Sequence, residues 1–125
     1  MSQSLPRPTD AELAILQVLW RKGASTVREV HTELGTGGGY TTVLKFLQIM
    51  TEKGLVERDD SQRAHVYKAA LSESDTQRQL VTGLLKKAFG GSTSRLVMQA
   101  LASKKASPRE LSEIRRLIDE LSKEE

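Results

Sequence analysis

Three apolar stripes of helical period, each stopped by a glycine, fill the first 54 residues of this chain, after which the period changes to that of short strands. The first stripe opens at Thr9-Asp10-Ala11-Glu12, a capping-box pattern in which Thr9 accepts from an early backbone N–H and Glu12 reaches back. Leu13, Leu16 and Trp20 follow at helical spacing, with Ile15 and Leu19 beside them, and Gly23 stands where a left-handed cap is wanted. A second, short helix is expected to open at Ser25 or Thr26, to carry Val27, Val30 and Leu34 inward, and to stop at Gly35. The spacing predicts a third helix from about Tyr40 to Lys53, stopped by Gly54. Its inward face is Val43, Leu47 and Met50, flanked by Phe46, and its opposite face carries Thr41, Lys45, Gln48 and Glu52. Leu55–Arg58 and Ala64–Tyr67 then read as two strands around the turn-rich Asp59–Arg63. Three helices and a hairpin in about 60 residues make a winged helix the economical fold.

The remainder reads as helix. Ser72–Ala88 carries Leu80, Val81, Leu84 and Leu85 and is closed by Gly90-Gly91; Ser92–Ala102 carries Leu96, Val97, Ala100 and Leu101. Ser107-Pro108-Arg109-Glu110 combines a capping serine, a proline at the first helical position and a glutamate three residues after the cap. The expected organisation is therefore mainly α with a small β-hairpin wing. A flexible arm (1–8) leads into an N-terminal winged helix-turn-helix (9–70), and a C-terminal helical dimerisation domain (71–125) follows.

Composition excludes more than it assigns. The chain has no cysteine, which removes disulfides, thiol catalysis and thiolate metal sites. Its two histidines, His31 and His65, have no metal-ligand spacing, the glycine-rich Gly35–Gly39 is followed by no Gly-Lys-Ser/Thr, and the hairpin is too small to enclose a reaction. No catalytic residue, metal or cofactor is expected. No run of about 18 apolar residues is present, and Met1–Pro8 lacks the apolar stretch of a secretory signal, so a cytoplasmic protein is expected. The net charge is only +3, so any nucleic-acid contact depends on where the charges sit.

Their placement favours DNA. An α-helix fits the major groove, and its outward residues read base edges with hydrogen bonds or methyl contacts. Thr41 offers a hydroxyl and a methyl, Lys45 a cation and Gln48 a two-sided amide. From residue 34 to residue 51 there is no acidic side chain, as a surface facing phosphates requires. A merely solvated polar face would have a similar composition. Arg58, Arg63, His65 and Lys68 lie on or beside the hairpin, and its Arg63 side suits phosphate. Asp59 and Asp60 oppose that use. Ser25 and Thr26, at the start of the second helix, can offer hydroxyl and backbone N–H donors to a phosphate, or serve simply as caps.

The C-terminal helices carry more apolar side chains than so small a unit can hide. Leu111, Ile114, Ile118 and Leu121, with Leu117 beside them, form a seam expected to pack against a second copy. Two winged helices related by a two-fold axis would read a palindromic site in double-stranded DNA. The competing reading is a winged-helix regulator that senses a small molecule, for which the chain offers few aromatic walls: Trp20, Tyr40, Phe46, Tyr67 and Phe89.

Asp10-Ala11-Glu12-Leu13 through Trp20, Thr26-Val27-Arg28-Glu29-Val30, Tyr40-Thr41-Thr42-Val43, Glu52-Lys53-Gly54-Leu55-Val56 and Arg63-Ala64-His65-Val66-Tyr67 together resemble the penicillinase-repressor family, the BlaI/MecI/CopY group. The resemblance covers nearly all of residues 8–70, and the later helices match it in layout. It implies repression by a homodimer on a palindromic operator with TACA/TGTA half-sites. It places Tyr40, Thr41, Thr42 and Lys45 where the recognition helix meets DNA, and Arg63 and His65 in the wing. The copper-responsive branch uses C-terminal cysteine pairs, which this chain lacks. The β-lactam-responsive branch is inactivated by a membrane sensor-protease at an Asn-Phe bond. Such a protease is therefore an implied partner, although the corresponding segment here is Leu96-Val97-Met98-Gln99-Ala100, without Asn-Phe. Gly37-Gly38-Gly39 suggests an entry to the recognition helix more flexible than is usual for the family, whose first turn orders fully only on DNA.

Overall fold

A computed structural model describes residues 6–35 and 39–124. Part of the expected arm, residues 1–5, and Thr36, Gly37 and Gly38 of the glycine-rich connection lie outside the described residues. The first helix, α1 (Asp10–Lys22), begins as its sequence dictates: the Thr9 side chain accepts from the Glu12 N–H, and the Glu12 carboxylate accepts from the Thr9 N–H at 2.9 Å. Packing starts one residue earlier, because Pro8 is buried. At the other end Gly23 has φ 89° and ψ −166°. That is a glycine-only conformation, and it sends the chain out extended instead of curling it into a left-handed cap.

The extended exit forms a strand that periodicity did not reveal, β1 (Ser25–Thr26), which leads directly into α2 (Val27–Leu34). Next come α3 (Tyr40–Lys53), β2 (Val56–Asp59) and β3 (Val66–Ala69). The sheet is antiparallel in the order β1-β3-β2, with Ser25 opposite Tyr67 and Arg58 opposite Tyr67 on the other side. Both hairpin strands start later than their apolar runs suggest, by one residue for β2 and two for β3. Register is set by pairing across the sheet and by the turn, in which Asp59 Oδ1 accepts from the Ser61 N–H at 2.9 Å.

The core is one cluster contributed by the three helices and the hairpin. Ile15, Leu16, Val18 and Leu19 of α1 meet Val27 and Val30 of α2, Val43, Leu47 and Met50 of α3, and Leu55, Val56 and Tyr67 of the wing. One carboxylate is buried with them: Glu12 is 3% exposed and receives the Lys53 ammonium at 2.7 Å, joining the start of α1 to the end of α3. Gly54 closes α3 in the left-handed region, φ 82°, donating to Met50 and Thr51 carbonyls.

The chain divides into two compact units between Val81 and Thr82, within α4 (Glu73–Phe89). The first unit includes the beginning of α4, fastened by the Trp20 indole N–H donating to the Leu71 carbonyl at 3.0 Å and by the fully buried Thr76. The second contains the end of α4, α5 (Thr93–Ser103) and α6 (Pro108–Lys123). Ser107 and Glu110 form the expected capping box of α6. Neither α5 nor α6 contains a buried residue.

Candidate nucleic-acid interface

The start of α2, the wing-facing flank of α3 and the hairpin enclose an open concavity of about 690 Å³. Its polar lining is Thr26 from β1, Arg28 from α2, Tyr40 and Gln48 from α3, and Arg58, Arg63, His65 and Tyr67 from the hairpin. No carboxylate is among the lining residues, although Asp60, just outside the lining, pairs with Arg58.

The structure thus brings together five of the residues singled out in the sequence: Thr26, Tyr40, Gln48, Arg63 and His65. Thr41, Thr42 and Lys45 sit on the exposed crest and far flank of α3, where they share a second, smaller depression with Phe46 and Ile49. Core and crest separate as a helix of about 100° per residue requires: Lys45 points away from Val43, Leu47 and Met50. Ser25 is not among these residues. It is buried in β1, and its hydroxyl donates to the Gly23 carbonyl at 2.9 Å. Thr26 caps α2, accepting from the Glu29 N–H while Glu29 accepts from the Thr26 N–H. The Thr26 N–H, followed by the Thr26 hydroxyl, holds the Glu29 carboxyl below the usual carboxylate range.

Arg28 is not among the candidate contacts, and Arg58, placed by the sequence on the hairpin, is set aside there in favour of the Arg63 side. Arg28 lies in the first turn of α2, where the helix dipole disfavours a cation, and that misplacement was the available signal. Its guanidinium stands 6.0 Å from the centre of the Tyr40 ring, and the His31 ring meets the same tyrosine edge-on at 6.5 Å. The pair holds the first residue of α3 against α2.

Arg58 is oriented by Asp60, whose Oδ1 receives its Nε at 2.8 Å and faces His65 Nε2 at 3.6 Å. The Asp60 charge, followed by the Tyr67 hydroxyl, raises the Arg58 guanidinium above its ordinary value. Asp59 accepts from Ser61, mainly through the backbone N–H, and is held below the usual carboxylate range. The two wing aspartates therefore shape the turn and aim an arginine, which accounts for acidic residues in a basic hairpin. Glu57 and Lys68, paired in register, meet at 3.5 Å. Among the described residues no cluster of three or more His, Asp or Glu side chains is arranged to hold a metal.

Leu111 is 41% exposed, Leu117 and Ile118 are each 54% and Leu121 is 55%, while Ile114 is half-buried.

Comparison with known proteins gives a consistent picture. A profile of the family described as "Penicillinase repressor" matches residues 8–120. The penicillinase repressor of Bacillus licheniformis is 24% identical over 120 residues, covering 94% of each chain. The transcriptional regulator BlaI of Mycobacterium tuberculosis is 39% identical over 84 residues, which is 65% of this chain and 58% of that protein. Among solved structures, the Bacillus licheniformis BlaI monomeric form in complex with the blaP half-operator aligns with a TM-score of 0.51 and 28% identity. That alignment covers 59% of this chain and 93% of the other.

Proposed function

The chain belongs to the penicillinase repressor family, and from this premise we propose how it works as a DNA-binding transcriptional repressor, a non-enzymatic role common to its relatives. Residues 9–70 bind DNA, with α3 in the major groove and the wing on the phosphate backbone. The observation that carries this reading is the concavity lined by Arg28, Arg58 and Arg63, with one of these arginines held by Asp60, beside the exposed crest of α3. Phosphates are bound by the three arginines, Thr26, His65 and the Tyr40 hydroxyl, with Ser25 supporting Thr26 from behind. Thr41, Thr42, Lys45 and Gln48 meet base edges.

Residues 71–125 dimerise. Leu111, Ile114, Leu117, Ile118 and Leu121 leave a continuous apolar stripe on α6, and each such side chain covered by a second copy contributes roughly 1.5–3 kcal/mol of burial. A two-fold dimer presents two recognition helices, so the operator is a palindrome with half-sites about one helical turn apart or a multiple of it. No helix among the described residues is long and apolar enough to cross a membrane, and the site of action is the cytoplasm. Release by a membrane sensor-protease acts on α5, where Leu96–Ala100 is helical and Met98 is 68% exposed.

The test is binding of the full chain to duplex DNA over a range of salt. Affinity should fall steeply and linearly on a log–log plot as counterions compete. A flat dependence would rule out phosphate contact.

A further inference from the structure

We infer that Ile49 reads DNA sequence: its exposed side chain packs on the C5-methyl group of a thymine in the major groove and makes the protein prefer thymine at that position. The inference rests on α3 being the recognition helix and adds to that reading a residue that discriminates bases.

Ile49 is 38% exposed, although the core is already supplied from the opposite side of the helix by Val43, Leu47 and Met50. On a wheel of about 100° per residue it lies roughly 40° from Lys45, on the crest itself. The two flanks of that crest differ in chemistry. The flank with Gln48 opens onto the arginine-lined concavity. The other flank is a smaller depression of about 420 Å³ lined by Thr41, Thr42, Lys45, Phe46 and Ile49, all from α3. The half-buried Phe46 and the exposed Ile49 supply its apolar side chains.

One occupant fits. Among groups on base edges in the major groove, only the thymine methyl is apolar. Thr41, Thr42 and Lys45 border the depression and also belong to the crest assigned to DNA, so it is continuous with that interface. Lys45 beside it favours an anionic polymer over an apolar protein surface. Thymine is further discriminated because cytosine at the same place presents a polar amino group and no methyl, leaving Ile49 without an apolar partner.

The experiment uses the full chain and a duplex recovered by selecting it against a randomised library. Each thymine of that duplex is replaced in turn by deoxyuridine, which removes the methyl and keeps the pairing. Wild-type protein is expected to lose about fourfold in affinity at one position per half-site, the equivalent of the ~0.8 kcal/mol of a buried methylene. Ile49→Ala should bind the thymine duplex more weakly and be indifferent to uracil at that same position, with its fold verified by circular dichroism. Ile49→Val should keep most of the preference. A wild-type protein indifferent to uracil at every position overturns the inference without needing any variant, and so does Ile49→Ala with undiminished sensitivity. Recovery of no duplex, or binding that ignores salt, overturns the DNA reading and the inference together.

Discussion

Lys53 and Glu12, 41 residues apart, meet at 2.7 Å with the carboxylate 3% exposed, so the last turn of α3 is tied to the first turn of α1 by a buried charge. Burial alone would raise the Glu12 carboxyl. The hydrogen bond and charge of Lys53, with the Thr9 N–H and hydroxyl, outweigh it and hold the group below its ordinary value of 4.5. Lys53→Ala leaves that charge without its cation and should destabilise the protein by ~1–3 kcal/mol in urea denaturation, the partly exposed lysine keeping the cost below that of a fully buried pair. Because the folded-state carboxyl is depressed, its stabilisation is present above the unfolded value and lost as the pH falls through the folded one. The difference between variant and wild type should therefore shrink below about pH 4.5. Equal differences at neutral and acid pH would exclude the pair as their source.

Arg28→Ala and Arg63→Ala should each weaken DNA binding across sequences, with little loss of fold. Each should also flatten the slope of log affinity against log salt by about one unit, the signature of one phosphate contact removed. An unchanged slope for Arg28→Ala would confine that residue to holding Tyr40.

Ile118→Asp places a carboxylate on the apolar stripe of α6. Sedimentation should then show monomers, and operator affinity should drop because the two half-sites are no longer linked. The core formed by residues 15–67 lies wholly in the other unit, so the thermal unfolding of the winged helix should still be seen. A dimer that persists would dismiss the seam.

Gly39 caps α3 without a side chain, in an extended conformation (φ −82°, ψ 166°) that any residue can adopt, and an added Cβ would meet nothing within 4 Å. Gly39→Ser should stabilise the protein by ~0.5–1 kcal/mol, through a cap for the first turn and a less free unfolded chain. Amide exchange at Tyr40–Val43 is the direct readout: protection should rise in the variant, and in wild type it should rise on operator. Equal protection with and without operator would remove the idea that DNA orders this turn.

What the sequence made legible was local. The capping boxes at Thr9/Glu12 and Ser107/Glu110 are patterns across three residues, and the inward faces of α1 and α3 follow from one period. Hidden features depended on distant partners. Strand β1 is two residues long and exists because β3, some 40 residues later, pairs with it. That pairing buries Ser25 while leaving Thr26 at the surface. Arg28 and Arg58 become neighbours of Gln48 only when α2 and the hairpin pack on α3. Ile49 was overlooked because an isoleucine in an amphipathic helix reads as core until its angle to Lys45 is measured.

Trp20 has a consequence for the laboratory. It is the sole tryptophan, and its indole N–H is bonded to the Leu71 carbonyl, just ahead of α4. Its emission therefore reports on a single joint, and a shift in its wavelength means that the root of α4 has changed surroundings. The protein carries its own optical gauge of that root, readable during titration with operator or digestion by protease, with no dye attached.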